Sequence, residues 1–213
     1  MKKKILIIVR WMVALFFSTT ILAVVIYRFF PVYFTPLMFI RCAQQFSDDK
    51  SLTLHHHWVS MGKISEHMPV AVMASEDQRF LLHHGFDFGA IENAAKNNLH
   101  GGKMHGGSTI SQQTAKNVFL FPSRTWLRKG LEAYFTFGIE LVWGKERIME
   151  VYLNVAEMGR GIYGAEAAAR ELFGKPASSL SEREAALIAA ALPNPMRRNA
   201  GNPSGYLSYR ASR

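Results

Sequence analysis

The sequence predicts a mainly α domain behind a single N-terminal transmembrane helix. Three observations carry this. The first thirty residues hold an apolar run long enough to cross a bilayer, the body shows helical rather than strand periodicity, and the charge is gathered at the two ends. With 213 residues the chain has room for one compact domain and an appendage, but not for two large catalytic domains. Hydrophobic residues make up 49% and charged residues 19%, which excludes a disordered, charge-rich chain. The single cysteine, Cys42, excludes an intramolecular disulfide framework and a multi-cysteine metal site.

The net charge of +9 would by itself suggest an anionic partner, nucleic acid or membrane. Its distribution decides. Residues 1–41 hold six basic and no acidic side chains, residues 197–213 four basic and none acidic, and residues 42–196 hold 15 basic against 16 acidic. The three segments therefore carry +6, +4 and −1. A near-neutral body speaks against nucleic acid, and the basic N-terminus suits lipid headgroups.

The N-terminus runs Lys2-Lys3-Lys4, an apolar stretch, Arg10, then an uncharged run over 11–27 before Arg28. A helix over 5–27, at about 1.5 Å per residue, spans a hydrocarbon core of roughly 30 Å. Arg10 lies close enough to the end to snorkel to the headgroups, and Trp11, Tyr27, Phe29 and Phe30 suit the interfaces. A cleaved signal peptide shares these features, but the run is long for one and no small-x-small site follows. Lys2, Lys3, Lys4 and Arg10 outweigh Arg28 and Arg41, so the positive-inside rule predicts a cytoplasmic N-terminus with the remainder across the membrane. The expected division is a basic tip and transmembrane anchor over 1–30, a juxtamembrane connector over 31–67, the main domain over 68–203 and a basic tail over 204–213. Pro31, Pro36 and the polar Ser47-Asp48-Asp49-Lys50 mark the connector.

The body reads as successive helices. Pro69 opens one at the favoured first position, with Val70, Met73, Ala74 and Asp77 along one side. Phe88, Ile91, Ala95 and Leu99 predict a second, stopped by Gly101-Gly102. Ser108 can cap a third over 110–118. A long helix with one strongly apolar face is predicted over 126–143, then helices over 146–156 and 164–172 separated by Gly159 and Gly161. Ser181-Glu182-Arg183-Glu184 is a capping box before a helix over 185–192, ended by Pro193 and Pro195.

Four segments can carry chemistry. Glu76-Asp77-Gln78-Arg79-Phe80-Leu81-Leu82-His83-His84-Gly85 places acids and histidines beside an apolar helix end, where a carboxylate raised toward neutrality by burial can act as a general base. Read alone, a helix end with solvated charges is the favoured explanation. The run from Gly106 to Asn117 leads glycines into a capped helix, exposing backbone N–H groups that suit phosphate, with Lys116 two turns on; it is not a Walker A loop. An ordinary Gly-Gly turn fits it as well. Arg124, Arg128 and Glu132, four apart, share a helix face with Lys129 beside them, and a surface ion-pair ladder is the default explanation. Glu150-Val151-Tyr152-Leu153-Asn154, followed by Gly159, Gly161 and Gly164, reads as a core helix and a tight turn.

Together and in this order, these segments closely resemble the peptidoglycan glycosyltransferases of glycosyltransferase family 51. The family pattern Glu-Asp-x-x-Phe-x-x-His-x-Gly is met by Glu76, Asp77, Phe80, His83 and Gly85. Gly-Gly-Ser-Thr-x-x-Gln-Gln-x-x-Lys-Asn is met from Gly106 to Asn117, and Arg-Lys-x-x-Glu by Arg128, Lys129 and Glu132. The block over 147–175 matches as well. Departures are small: Leu81 stands where an aromatic is common, Ser111 where threonine is usual and Thr114 where leucine is usual.

The resemblance implies a lysozyme-like helical glycosyltransferase domain over 68–203 that joins lipid II to a lipid-linked growing glycan strand through a β-1,4 link. By it, Glu76 is the general base and Glu132 the second catalytic glutamate, either coordinating Mg²⁺ or Mn²⁺ on the substrate diphosphate or orienting the basic groups. It implies substrate-binding places for Asp77, Phe80, His83, Ser108, Thr109, Gln112, Gln113, Lys116, Asn117, Arg124, Arg128 and Lys129. Lys116, Arg124 and Arg128 suit the diphosphate, since guanidinium grips phosphate oxygens bidentately and lysine adds a compact charge. Phe119-Leu120-Phe121 with Trp126 fits dipping into a bilayer, or a core helix end. The implied setting is a bacterial inner membrane, crossed once, with the catalytic domain periplasmic and cell-wall synthesis or division proteins as further partners.

Competing classes are weaker. Ser47-x-x-Lys50 and Ser60-x-x-Lys63 fit the penicillin-binding pattern, but no Lys-Thr-Gly follows and ten residues remain after Pro203, so a monofunctional type is expected. His55-His56-His57 cannot all face one metal from a regular element. A membrane-tethered scaffold with a decayed site would not need Glu76, Lys116, Arg128 and Glu132 together. A glycan-cleaving enzyme would share the carboxylates but not the basic cluster, because its leaving group carries no diphosphate.

Overall fold

Twelve regular elements order the described residues of the computed structural model, which are 2–48, 51–90, 92, 107–123 and 125–213. They are α1 (Lys2–Phe29), α2 (Pro36–Ser47), β1 (His55–His56), α3 (His67–Glu76), α4 (Ile110–Phe119), α5 (Trp126–Val142), α6 (Gly144–Val155), β2 (Glu157–Gly159), β3 (Ile162–Tyr163), α7 (Gly164–Phe173), α8 (Glu182–Ala191) and α9 (Gly205–Ala211). Short 3₁₀ turns at Met61–Lys63 and Ala177–Ser179 complete them. The mainly α expectation holds. Of the predicted second helix, Ile91, Ala95, Leu99, Gly101 and Gly102 lie outside the described residues, as do Asp49 and Lys50 of the connector.

The apolar N-terminal run is one helix of 28 residues, long and apolar enough to cross a membrane, with a mean hydropathy of 2.2 in its best window. Its C-terminal half meets the domain. Thr20 and Tyr134 share a hydroxyl hydrogen bond of 2.9 Å, the rings of Phe16 and Phe17 pack on Tyr134, and the Trp143 indole donates to the Val24 carbonyl at 2.7 Å. A helix end leaves carbonyls unpaired. Arg147 on α6 takes up those of Tyr27 (2.8 Å) and Phe30 (2.6 Å), while Arg28 reaches back to the Val142 carbonyl. This apolar helix is thereby bolted to α5 and α6.

Residues 31–67, expected as a plain connector, contain α2. Thr35 accepts from the Met38 amide as N-cap and Pro36 occupies the first helical position, a start signature available in the sequence. Beyond it the connector is threaded onto the body. Asn154 on α6 accepts from the Val59 amide and donates to its carbonyl, both at 2.9 Å, and Glu150 accepts from the Met61 amide at 2.9 Å. β1 runs parallel to β3, which pairs antiparallel with β2. Gly161 has φ +69 and would push a Cβ to 2.3 Å from the Thr53 carbonyl, so only glycine lets the connector cross there.

The core is built on α6, whose Ile148, Val151, Leu153 and Val155 are fully buried, with α4, α5 and α7 around it, while α8 packs on α3. Alanines at 165, 167, 168, 169 and at 185, 189, 190, 191 let α7 and α8 approach their neighbours closely. Two starts differ from expectation. α3 begins at His67 and buries Met68 and Val72, while Val70 faces solvent, because Ser65 anchors its start through the Ala177 and Leu180 carbonyls. α4 is capped by Thr109 rather than Ser108, in a capping box with Gln112. The Ser181–Glu184 capping box opens α8 as predicted. Residues 204–213, expected as a basic tail, form α9, with Ser204 as N-cap and Leu207 buried against α8.

Candidate active site

Glu76 ends α3 half-buried. Its Oε2 accepts from the Gln113 side-chain amide at 3.0 Å and its Oε1 lies 3.5 Å from the Ser75 hydroxyl. Burial pushes this carboxyl above its ordinary value of 4.5, and Gln113, Arg210, Ser75 and Lys116 pull it part of the way back. It faces a hollow of about 350 Å³ shared with Ser108, Arg79 and Gly107. Gln113 also lines a second cleft of about 460 Å³, between α2, α4, the start of α5 and the α6–β2 turn. Gln113 therefore joins the two spaces. Its orientation is set from behind, since the buried Tyr152 hydroxyl donates to Oε1 at 3.2 Å and leaves the NH₂ for Glu76.

The second cleft is cationic. Lys116 and Asn117 enter it from α4 and Arg128 from α5. Burial pushes the Lys116 ammonium below its ordinary value, Glu132 opposing this and Arg128 and Lys129 reinforcing it. The buried Glu132 carboxylate holds Arg128 Nη1 on one oxygen and Lys129 Nζ on the other, each at 2.5 Å. Arg128 Nε is buried without a hydrogen-bond partner among the described residues. Such a donor costs about 1–3 kcal/mol and calls for an acceptor, which an anionic oxygen entering the cleft supplies.

The other anticipated residues pack around these two spaces. His83 Nε2 is 3.0 and 2.9 Å from the two Asp77 oxygens, and one of these also accepts the Ile110 amide at 3.0 Å, which ties α3 to the start of α4. The Gly85 amide donates to His83 Nδ1. Phe80 is 1% exposed, with Lys145 Nζ over its ring at 4.5 Å. Thr109 and Gln112 are buried in their capping box, and Thr109 also donates to the Gly85 carbonyl at 2.6 Å. Of the residues expected at the substrate, Asp77 and Thr109 also line the hollow at Glu76, while Phe80, His83 and Gln112 close polar or packing needs of α3, α4 or the turn between them. Arg124 and Gly106 lie outside the described residues.

Sequence reasoning missed Arg41 and Glu157. Arg41 Nε and Nη2 reach Glu157 Oε2 at 3.3 and 3.2 Å, and both side chains line the cationic cleft. Burial pushes the Glu157 carboxyl up and Arg41 pulls it down. Arg41 had counted only as a juxtamembrane charge; recognising α2 from Thr35-Pro36 would have placed it on a face with Leu37. The expected apolar run divides: Leu120 is buried and Phe119 stacks on Phe135 at 4.4 Å, while Phe121, Trp126 and Leu127 are exposed.

The donor set does not fit a divalent ion held by the protein. Both oxygens of Glu132, the anticipated ligand, are taken by Arg128 and Lys129, and among the described residues no group of three His, Cys, Asp or Glu side chains converges.

The transglycosylase family model matches residues 44–212. The biosynthetic peptidoglycan transglycosylase of Bacteroides thetaiotaomicron is 59% identical over 208 residues, covering 98% of this chain and 84% of its own. That of Bdellovibrio bacteriovorus is 50% identical over 207 residues (96% and 83%), and that of Yersinia pseudotuberculosis 53% over 189 (88% and 78%).

Proposed function

The chain belongs to the transglycosylase family and is a peptidoglycan glycosyltransferase, and we propose that Glu76 is its general base and that the Lys116–Arg128 cleft receives the diphosphate of the lipid-linked donor. One observation carries the assignment: Gln113 holds the Glu76 carboxylate from one side and lines the cationic cleft on the other. Base and leaving-group site are thus separated by one side chain.

In the proposed reaction, the Glu76 carboxylate takes the proton of the acceptor's sugar 4-hydroxyl. The oxygen forms a bond to the donor's anomeric carbon as the bond from that carbon to the diphosphate oxygen breaks, and the electron pair leaves with the diphosphate. Attack opposite the leaving group inverts the centre and yields the β-1,4 link. A diphosphate departs readily, so the site has two tasks, proton removal and neutralisation of charge at the departing oxygens. Lys116 and Arg128 serve the second. Glu132 holds Arg128 and Lys129 in place; with both its oxygens engaged it is assigned to positioning cations, and a divalent ion, where one is used, rests on substrate oxygens. Gln113, Ser108, Asn117, Asp77 and Thr109 line the substrate spaces, and Phe80, His83 and Gln112 act as positioning residues under them.

The helix α1 and the exposed Phe121, Trp126 and Leu127 suit an enzyme working at a bilayer on polyprenyl substrates. The proposed setting is the bacterial inner membrane, with the N-terminus cytoplasmic, the catalytic domain periplasmic, and lipid II and the growing strand as substrates. The test is polymerisation of labelled lipid II by the full chain. Lysozyme-sensitive strands are expected, with a fall of about a hundredfold or more for Glu76→Gln. Equal polymerisation by the two proteins overturns the assignment of the base.

A further inference from the structure

Two walls of the cationic cleft each pair a cation with a leucine. On α4 and its C-cap, Lys116 and Leu120 line the cleft; on α2, Arg41 and Leu37 do. Each pair is four residues apart, so each shares a helix face with a separation of about 6 Å along the axis. In both walls the leucine adjoins exposed apolar chain: Phe121 follows Leu120, and Tyr33 and Phe34 precede α2. Both walls therefore set a cation and an apolar side chain about one turn apart. An isoprenoid chain ending in a diphosphate joins the same two chemistries. α2 also leads directly from the membrane helix, so its leucine lies toward the end from which a lipid enters.

We propose that Arg41 is a further cation of the diphosphate site, that Leu37 and Leu120 hold the first isoprene units of the lipid, and that Glu157 positions the Arg41 guanidinium. This rests on the reading of the cleft given above. Arginine has five donors. Two of Arg41's go to Glu157 and one to Gln44 Oε1 at 3.0 Å, which leaves two for a ligand. The side chain is 30% exposed, so they are reachable, while the Glu157 carboxylate is 7% exposed and backed by the Tyr163 hydroxyl at 3.4 Å. A guanidinium held in this way is preorganised for phosphate oxygens. Both residues of α2 precede residue 44, where the family match begins, so the family likeness does not assign them.

The experiment measures inhibition of lipid II polymerisation by undecaprenyl diphosphate and by undecaprenyl monophosphate, with the full chain. Arg41→Ala is expected to weaken the diphosphate by about tenfold, the loss of one charge-assisted contact, and the monophosphate much less. Arg41→Lys should recover part of the difference, and the apparent KM should move more than kcat. Because Arg41→Ala strands a buried carboxylate, the double variant Arg41→Ala, Glu157→Gln removes both charges and should show the same selectivity loss. Unchanged diphosphate inhibition in these variants, with Lys116→Ala still weakening it, overturns the role of Arg41 and leaves the cleft assignment standing. Equal weakening toward both lipids makes Arg41 structural and also overturns the proposal. Indifference of both Lys116→Ala and Arg41→Ala overturns the cleft itself.

Discussion

Gln113 donates to the Glu76 carboxylate at 3.0 Å while its own carbonyl oxygen is held by the Tyr152 hydroxyl at 3.2 Å. The hydrogen bond favours the charged carboxylate and opposes the burial that pushes Glu76 upward. Gln113→Leu therefore moves the acid limb of the pH–rate profile to higher pH and lowers kcat/KM at neutral pH by about tenfold or more. Tyr152→Phe does the same more weakly, because the amide is free to turn. A uniform loss with the acid limb unmoved would mean that Gln113 acts on substrate alone.

The two titrating groups of the site bracket the working range. Glu76 must be unprotonated and sits above 4.5, so the rate falls as pH drops through its raised value. Lys116 must be protonated and sits below 10.5, so the rate falls again as pH rises. The profile is expected to be a bell narrower than free side chains would give. Lys116→Arg keeps a charge that does not titrate in this range, and should remove the alkaline limb while leaving the acid limb in place.

Glu76 also has a stability signature. Its pKa is raised in the folded state, so the fold favours its protonated form. That contribution is full below the unfolded value of about 4.5 and is lost as pH rises through the raised folded value. Neutralising the side chain relieves a desolvated charge. Glu76→Gln is thus expected to melt a few degrees above the parent at pH 7 and level with it below pH 4.5, by thermal denaturation across pH. A variant that melts lower at pH 7 would show that the carboxylate supports the fold.

The helices were legible wherever a cap or a run of 3.6-residue periodicity announced them, as for α5, α6 and α8. α2 escaped because its apolar residues, Leu37, Met38 and Ile40, continue an already apolar region, so no contrast marks a face. Glu76, Lys116, Arg128 and Glu132 were legible through ordered motifs. What motifs do not separate is a side chain that touches a ligand from one that holds the toucher. His83 and Gln113 stand in comparable motifs, yet one is buried against Asp77 and the other lines a cleft. That difference arises only when α3 and α4 meet. The Arg41–Glu157 pair joins residues 116 positions apart and has no local signal at all.

Asp77 is predicted to be a stability residue first. It accepts from His83 on both oxygens and from the Ile110 amide, in a site it shares with a 6%-exposed histidine side chain. Asp77→Ala leaves that amide and ring nitrogen without an acceptor and should cost about 3 kcal/mol in chemical denaturation. Asp77→Asn keeps one acceptor and should lose less. Because the damage passes through the α3–α4 junction, activity and stability should fall together across the two variants. An Asp77→Ala protein of full stability but no activity would place the carboxylate on substrate after all.

Glu132 separates two ways of handling a diphosphate. As a metal ligand it would lend charge to an ion, and losing it would be offset by more of that ion. As the clamp of Arg128 and Lys129 it fixes two donors, one of them carrying the unpartnered Nε, and no added ion restores their placement. Glu132→Gln keeps the shape but releases both cations beside a buried amide. With Lys129 43% and Arg128 18% exposed, water softens that loss to about 2 kcal/mol of stability. Polymerisation should fall at least tenfold, and raising Mg²⁺ should leave the deficit as it was. Chelation of the parent protein should leave its melting temperature unchanged, since the described residues provide no closed set of ligands for an ion to stabilise. Recovery of Glu132→Gln at high Mg²⁺ would assign the carboxylate to the metal instead.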